Sequence, residues 1–209
     1  MSLVFRPSLA AEIAFVSVLA GWLGFGVVLA LGKRGAAPGA ARRDWKSAIG
    51  FFLQAAAYAI CFVFARVYFS AIRPMWRSTE VILSAVTVVI VVLSVWFCYA
   101  AAKALGRQWA LVARVIQGHQ LIATGPYAVV RNPIYLAMLG MYVASALAVA
   151  RWPAALIGLL VFLAGTAIRI RTEENLLRAN FGPRFDDYAR RVPALFPRPF
   201  RKRSLPGSM

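Results

Sequence analysis

Histidine occurs once in this chain, at position 119, and cysteine twice, at positions 61 and 98. That scarcity leaves no Cys/His cluster at metal-ligand spacing, so a zinc or di-iron mechanism has no ligand set and no metal is expected. Both cysteines fall inside apolar runs, where a thiol behaves as a small buried hydrophobe, and neither is expected in a disulfide. Charge is sparse as well, at 15% of residues, which leaves no room for a large soluble domain. A glycine-rich nucleotide loop following a strand is also missing. Gly21, Gly24 and Gly26 have no strand pattern before them, and small residues in a membrane helix more often serve close helix contact.

What the chain does contain is hydrocarbon. Of its 209 residues 61% are hydrophobic, and the mean hydropathy is +0.70. A helix needs roughly 20 apolar residues to cross a bilayer, so this length holds several spans and little besides. The net charge of +17 would suit nucleic acid, but Lys and Arg also collect in the cytoplasmic loops of membrane proteins, which explains the excess better. The partner expected from composition is therefore the membrane, not nucleic acid.

Five spans are legible in an all-α integral membrane fold. The first covers Leu9 to Leu31, the second about Ser47 to Ile72 and the third about Thr79 to Ala102. The last apolar region is divided by Arg151-Trp152-Pro153 into Ile134 to Ala150 and Ala154 to Ile168, which predicts a tight C-terminal helical hairpin. Glu173, Leu177 and Phe181 continue at helical spacing, so the fifth helix runs on into the cytoplasm until Gly182-Pro183 ends it. This divides the chain into residues 1–102, with three transmembrane helices, and residues 103–209, with spans four and five, polar loops and a basic tail.

Lys and Arg are distributed very unevenly across this layout. One side receives five between Lys33 and Lys46, four between Lys103 and Arg131, and ten from Arg169 onward; the other receives only Arg6, Arg73, Arg77 and Arg151. The bias predicts an outside N-terminus and a cytoplasmic C-terminus. The sparse basic start of the first run fits an uncleaved anchor better than a cleaved signal peptide. Arg66, inside span two, is a functional candidate by position, but Glu12 lies at a similar depth and pairing between them is the simpler expectation.

Two polar groups remain, both on the cytoplasmic side. Before span four the chain reads Gly118-His119-Gln120-Leu121-Ile122-Ala123-Thr124-Gly125-Pro126-Tyr127, then Arg131-Asn132-Pro133-Ile134-Tyr135. After span five come Arg169, Arg171, Glu173, Glu174, Leu177, Phe181-Gly182, Tyr188, Val192-Pro193 and Pro197. Each group has a plain reading: Asn132-Pro133 suits a capped helix start, and Arg169 with Glu173 suits an exposed i,i+4 pair. A hairpin, however, brings its two cytoplasmic ends together, so these distant groups should converge on one site.

These ordered motifs, from Gln117 to Pro197, resemble the isoprenylcysteine carboxyl methyltransferase family and its bacterial relatives, including phospholipid methyltransferases. The first three spans add only a compatible helix count. The resemblance implies a methyltransferase using S-adenosyl-L-methionine, held in a non-Rossmann pocket of loops and helix ends. The positions matching the family's cofactor stretch are His119, Gln120, Leu121, Ile122, Tyr127, Asn132, Pro133, Ile134 and Tyr135. Glu173 matches its cofactor-contacting acid, and Arg169 the residue set against the substrate's reacting group, so these two are the catalytic candidates. The acceptor implied is the carboxylate of a prenylated cysteine or a similar lipid. This chain departs from the family in having Asn132 where histidine is usual and Phe185 where tyrosine is common. Phosphatidylethanolamine N-methylation, NADPH-dependent sterol reduction and a non-enzymatic scaffold are the competing readings.

Overall fold

A computed structural model describes residues 8–35, 45–65, 77–106 and 121–197. It contains α1 (Leu9–Gly35), α2 (Trp45–Val63), α3 (Arg77–Leu105), the single turn α4 (Pro126–Val129), α5 (Pro133–Val149), α6 (Trp152–Phe181) and α7 (Pro183–Arg191). The described residues form no extended sheet; one isolated bridge joins Ala65 to Ala150. Segments within α1, α2, α3 and α6 are long and apolar enough to cross a membrane. The protein is thus an all-α integral membrane protein, as its composition requires.

The expected fourth span, α5, has only 17 residues, about 25 Å at the helical rise. Its shortness is tolerated because it is the central helix. One core cluster joins Val18 and Phe25 of α1, Val91 and Cys98 of α3, and Ala137, Met141 and Ala144 of α5. A second joins Ala57 and Cys61 of α2, Leu139 and Tyr142 of α5, and Phe162 of α6. Covered on both sides by protein, α5 has little length to match against lipid. The outer helices instead expose Leu23, Phe52, Val92, Trp96 and Leu160, as lipid-facing positions should.

Among the described residues, polar side chains between the helices find partners, as a medium without water favours. The Trp22 indole donates to Ser145 Oγ at 3.2 Å, and Tyr58 Oη to the Met138 carbonyl at 2.7 Å. These two rings meet edge-on, 4.6 Å apart, where α1 and α2 cross over α5. Gly21 does serve close packing, since a Cβ there would collide with Val91 of α3; Gly26 faces open space. Arg66, the proposed partner of Glu12, lies outside the described residues.

The C-terminal hairpin closes less tightly than expected. Its helices touch through side chains, with Tyr142 stacked on Phe162 at 5.5 Å and Tyr142 Oη donating to the Ala155 carbonyl at 2.7 Å. The closest backbone approach of α6 is to α2, where a Cβ on Gly165 would lie 2.7 Å from the Gly50 carbonyl oxygen. As predicted, α6 continues unbroken from its apolar run through Glu173 and Leu177 to Phe181. It stops at Gly182, whose φ of +52° ends the helix in a conformation that side chains disfavour.

Candidate active site

Where the start of α5 meets the C-terminal half of α6 lies a cavity of about 230 Å³. It is lined by Tyr127 of α4, Asn132 to Tyr135 at the start of α5, and Arg169, Glu173 and Leu177 of α6. Arg131 contributes from the loop, and Leu29, Phe51 and Leu105 close it from the first three helices. The two sequence-distant polar groups therefore meet, as the hairpin predicts. A smaller adjoining cavity of about 70 Å³ takes in Leu121, Ile122, Glu174, Phe185 and Tyr188, and shares Tyr127, Arg131 and Asn132 with the first. His119 and Gln120 lie outside the described residues.

The two start from different elements but converge by direct bonds. Tyr135 Oη donates to Glu173 Oε1, tying α5 to α6 at the cavity wall. Arg169 lies four residues before Glu173, with Nη2 at 3.7 Å from Oε1. Its guanidinium sits over the Tyr135 ring at 5.0 Å and 6.0 Å from the centroid of Phe51. With 9% of its side chain exposed, Arg169 is not the solvated surface partner its spacing alone suggests.

Beside this pair stands a second one that the sequence motifs contain without revealing. Arg131 donates from Nε to Glu174 Oε1 at 2.8 Å and from Nη2 to Oε2 at 3.0 Å, a two-pronged grip. Its Nη1 donates to the Ala189 and Val192 carbonyls at 2.9 and 2.5 Å. The backbone repeats the connection, Arg131 N–H to Pro193 O at 2.8 Å and Asn132 N–H to Ala194 O at 3.1 Å. One arginine thus fastens α6, the end of α7 and the following chain to the mouth of α5.

Asn132 corrects the capping expectation. It occupies the cap position of α5, yet its side chain makes no capping bond. The amide instead donates to the Ala194 carbonyl at 3.0 Å and to Glu174 Oε1 at 3.4 Å. Phe185 is fully buried, under the Arg178 guanidinium at 5.4 Å and edge-on to Tyr188 at 6.2 Å. A hydroxyl there would need a partner in an apolar enclosure.

Tyr188 Oη donates to the Tyr127 carbonyl at 2.7 Å, joining α7 to α4. Burial, moderated by the nearby Arg131 charge, pushes the Tyr188 phenol up to about 12. Tyr127 is raised further, chiefly by burial and then by the negative charge of Glu173. Both rings are therefore neutral donors at any physiological pH.

Chemically, the cavity presents an aromatic wall, one carboxylate, Glu173, and two arginines, of which Arg131 is held by Glu174 and Arg169 faces Glu173. This suits a molecule carrying both cationic and anionic groups. Glu173 and the faces of Tyr127 and Tyr135 favour a cation, while the Arg169 fork matches a carboxylate. Leu29, Phe51 and Met138 were invisible as site residues in the sequence, because an apolar wall has no motif. Among the described residues, no group of three or more His, Cys, Asp or Glu side chains is placed to hold a metal ion.

Fold and site together define an all-α membrane protein with a polar cavity where α5 and α6 end. Residues 82–184 match the phospholipid methyltransferase family model. The matched stretch begins inside α3 and ends just into α7. Among curated proteins, the chain is 42% identical over 96 residues to the nickel-cobalt-cadmium resistance protein NccN of Alcaligenes xylosoxydans xylosoxydans, covering 45% of this chain and 44% of that protein. It is 38% identical over 96 residues to the cobalt-zinc-cadmium resistance protein CzcN of Cupriavidus metallidurans, with the same coverage. The chain thus spans less than half the length of these relatives.

Proposed function

We propose that this protein is an S-adenosyl-L-methionine-dependent methyltransferase that methylates the carboxylate of a prenylated cysteine or a similar lipid-like acceptor. The observation that carries the reading is the shared cavity of Arg169 and Glu173 at the emergence of α5 and α6. It rests also on the methyltransferase family match.

S-adenosyl-L-methionine, when bound, supplies an electrophilic methyl group on a sulfonium. Glu173, oriented by the Tyr135 hydroxyl, accepts from a cationic amino group or another polar part of that molecule. The rings of Tyr127 and Tyr135 offer electron-rich faces to positive charge. Arg169 grips the acceptor carboxylate with two parallel bonds. A carboxylate is already ionised at pH 7, so no general base is required and positioning is the main task. Leu29, Phe51 and Met138 give the lipid an apolar approach. We place the site on the cytoplasmic face of a bacterial inner membrane, with an outside N-terminus, on the strength of the Lys and Arg bias. Residues 103–209 form the catalytic core in this reading, with α1 and α2 as its lipid-facing support.

The family description favours a second acceptor, the amine of a phospholipid such as phosphatidylethanolamine. An amine must lose its proton to react, so activity on it falls on acidification through a range where a carboxylate acceptor is unaffected. The test is calorimetric titration of the purified protein with S-adenosyl-L-methionine and with NADPH, followed by labelled methyl transfer to N-acetyl-S-farnesylcysteine and to phosphatidylethanolamine vesicles. The expected result is binding of the methyl donor and label on the farnesylcysteine carboxylate. Label on the amine alone would replace the acceptor, and binding of NADPH alone would replace the reaction.

A further inference from the structure

Helix α2 precedes the matched family stretch and carries none of the motifs, yet it sends one polar side chain to the site. Gln54 is 1% exposed. Its amide nitrogen donates to Thr166 Oγ1 on α6 at 2.9 Å, and its carbonyl oxygen accepts from Arg169 Nη1 at 3.2 Å. An amide has one donor end and one acceptor end. With its NH2 on Thr166, the oxygen faces the arginine; the reverse orientation would set two donors against each other.

The backbone is shaped for this contact. A Cβ on Gly50, one turn before Gln54, would lie 2.5 Å from Arg169 Cγ. The missing side chain therefore leaves room for the stem of Arg169, just where α2 and α6 come closest. Thr166, Gln54 and Arg169 form a relay that begins on α6, crosses to α2 and returns to α6 one turn nearer the cytoplasm.

We propose that Gln54 is a positioning residue, a neutral acceptor that fixes the direction of the Arg169 guanidinium without cancelling its charge. Neutrality is the important property. Glu173 already faces Arg169 at 3.7 Å; a second carboxylate, in direct contact at this place, would compete with the acid group of an incoming lipid, whereas an amide oxygen orients the fork and adds no negative charge. This inference rests on the proposed acidic acceptor. Polar residues between membrane helices also serve as glue, so the test must separate orientation from adhesion.

The test is equilibrium binding of N-acetyl-S-farnesylcysteine and of its methyl ester, which lacks the charge, to the detergent-purified protein. Wild type should bind the acid more tightly than the ester. Gln54→Glu, nearly identical in shape, should lose at least about tenfold in affinity for the acid and little for the ester, the scale of a hydrogen bond to a charged group. Gln54→Leu and Thr166→Val should each narrow the difference between acid and ester. Unchanged discrimination in Gln54→Glu would overturn the role of Gln54 while leaving the acidic acceptor standing. Equal binding of acid and ester by wild type would overturn both. Should Gln54→Leu fail to fold, the near-isosteric Gln54→Glu still decides the matter.

Discussion

Arg131 holds Glu174 by two parallel bonds of 2.8 and 3.0 Å, and through them the loop before α5 is locked to α6. Both side chains are largely buried, 13% and 14% exposed. Because Arg131 also bonds the end of α7, the pair fastens the chain that follows α6 to the mouth of the cavity.

Removing one partner of such a pair leaves the other charged and poorly solvated. Arg131→Ala or Glu174→Gln should cost on the order of 3–5 kcal/mol, read as a lowered thermal midpoint in detergent. Cleavage by trypsin after Arg184 or Arg190 should become faster in the same variants. Arg131→Lys should recover little, since an ammonium cannot reproduce the fork. Wild-type stability in both single variants would show that the pair contributes nothing to holding α7.

Arg169→Ala and Glu173→Ala should each lower turnover at least about a hundredfold, the scale of a group that positions or stabilises charge. The two losses should separate by ligand: Glu173→Ala weakens donor binding in calorimetry, and Arg169→Ala weakens acceptor binding. Near-normal turnover in both purified variants would remove them from the chemistry.

The Gly50 and Gly165 contact should tolerate no side chain on α6. Gly165→Leu places atoms against the Gly50 carbonyl and Leu53 and should destabilise by roughly 1–3 kcal/mol or more, as overpacking does. Gly26→Ala, facing open space, should remain within about 0.5 kcal/mol of wild type. Equal thermal midpoints for the two variants would contradict the close approach of α2 and α6.

Tyr188 supplies a pH test. Its phenol is raised to about 12 by burial, against an ordinary value of about 10. The proton is therefore held more tightly in the folded protein. The resulting stabilisation is complete below pH 10 and is lost as pH rises through 12. Tyr188→Phe should remove that alkaline dependence along with the bond to the Tyr127 carbonyl. An ultraviolet titration in which the Tyr188→Phe difference appears near pH 10 would contradict the burial.

Much of the lining of the candidate site was legible beforehand because its residues are chemically conspicuous. Tyr127, Asn132, Tyr135, Arg169 and Glu173 are polar or aromatic groups at the ends of apolar runs, and all five line the cavity. Gln54 was not legible: one amide inside an apolar span looks the same whether it glues helices or orients an arginine. Arg131 and Glu174 stood within the quoted motifs, but nothing in their spacing, 43 positions apart, shows that they touch. The capping expectation for Asn132 rested on local preference, which lost to the tertiary bonds offered by Ala194 and Glu174.

By itself the sequence determined the solvent and the class. Apolar runs of span length, with cations gathered in alternate loops, dictate membrane helices because hydrocarbon excludes unpaired backbone and charge. Only the tertiary structure decided which helix is central, which glycines make contact, and that α2 reaches the arginine of α6. Those outcomes depend on how helix surfaces interlock and on where a buried polar group finds its partner, and such pairings act across distances in the chain that no local pattern records.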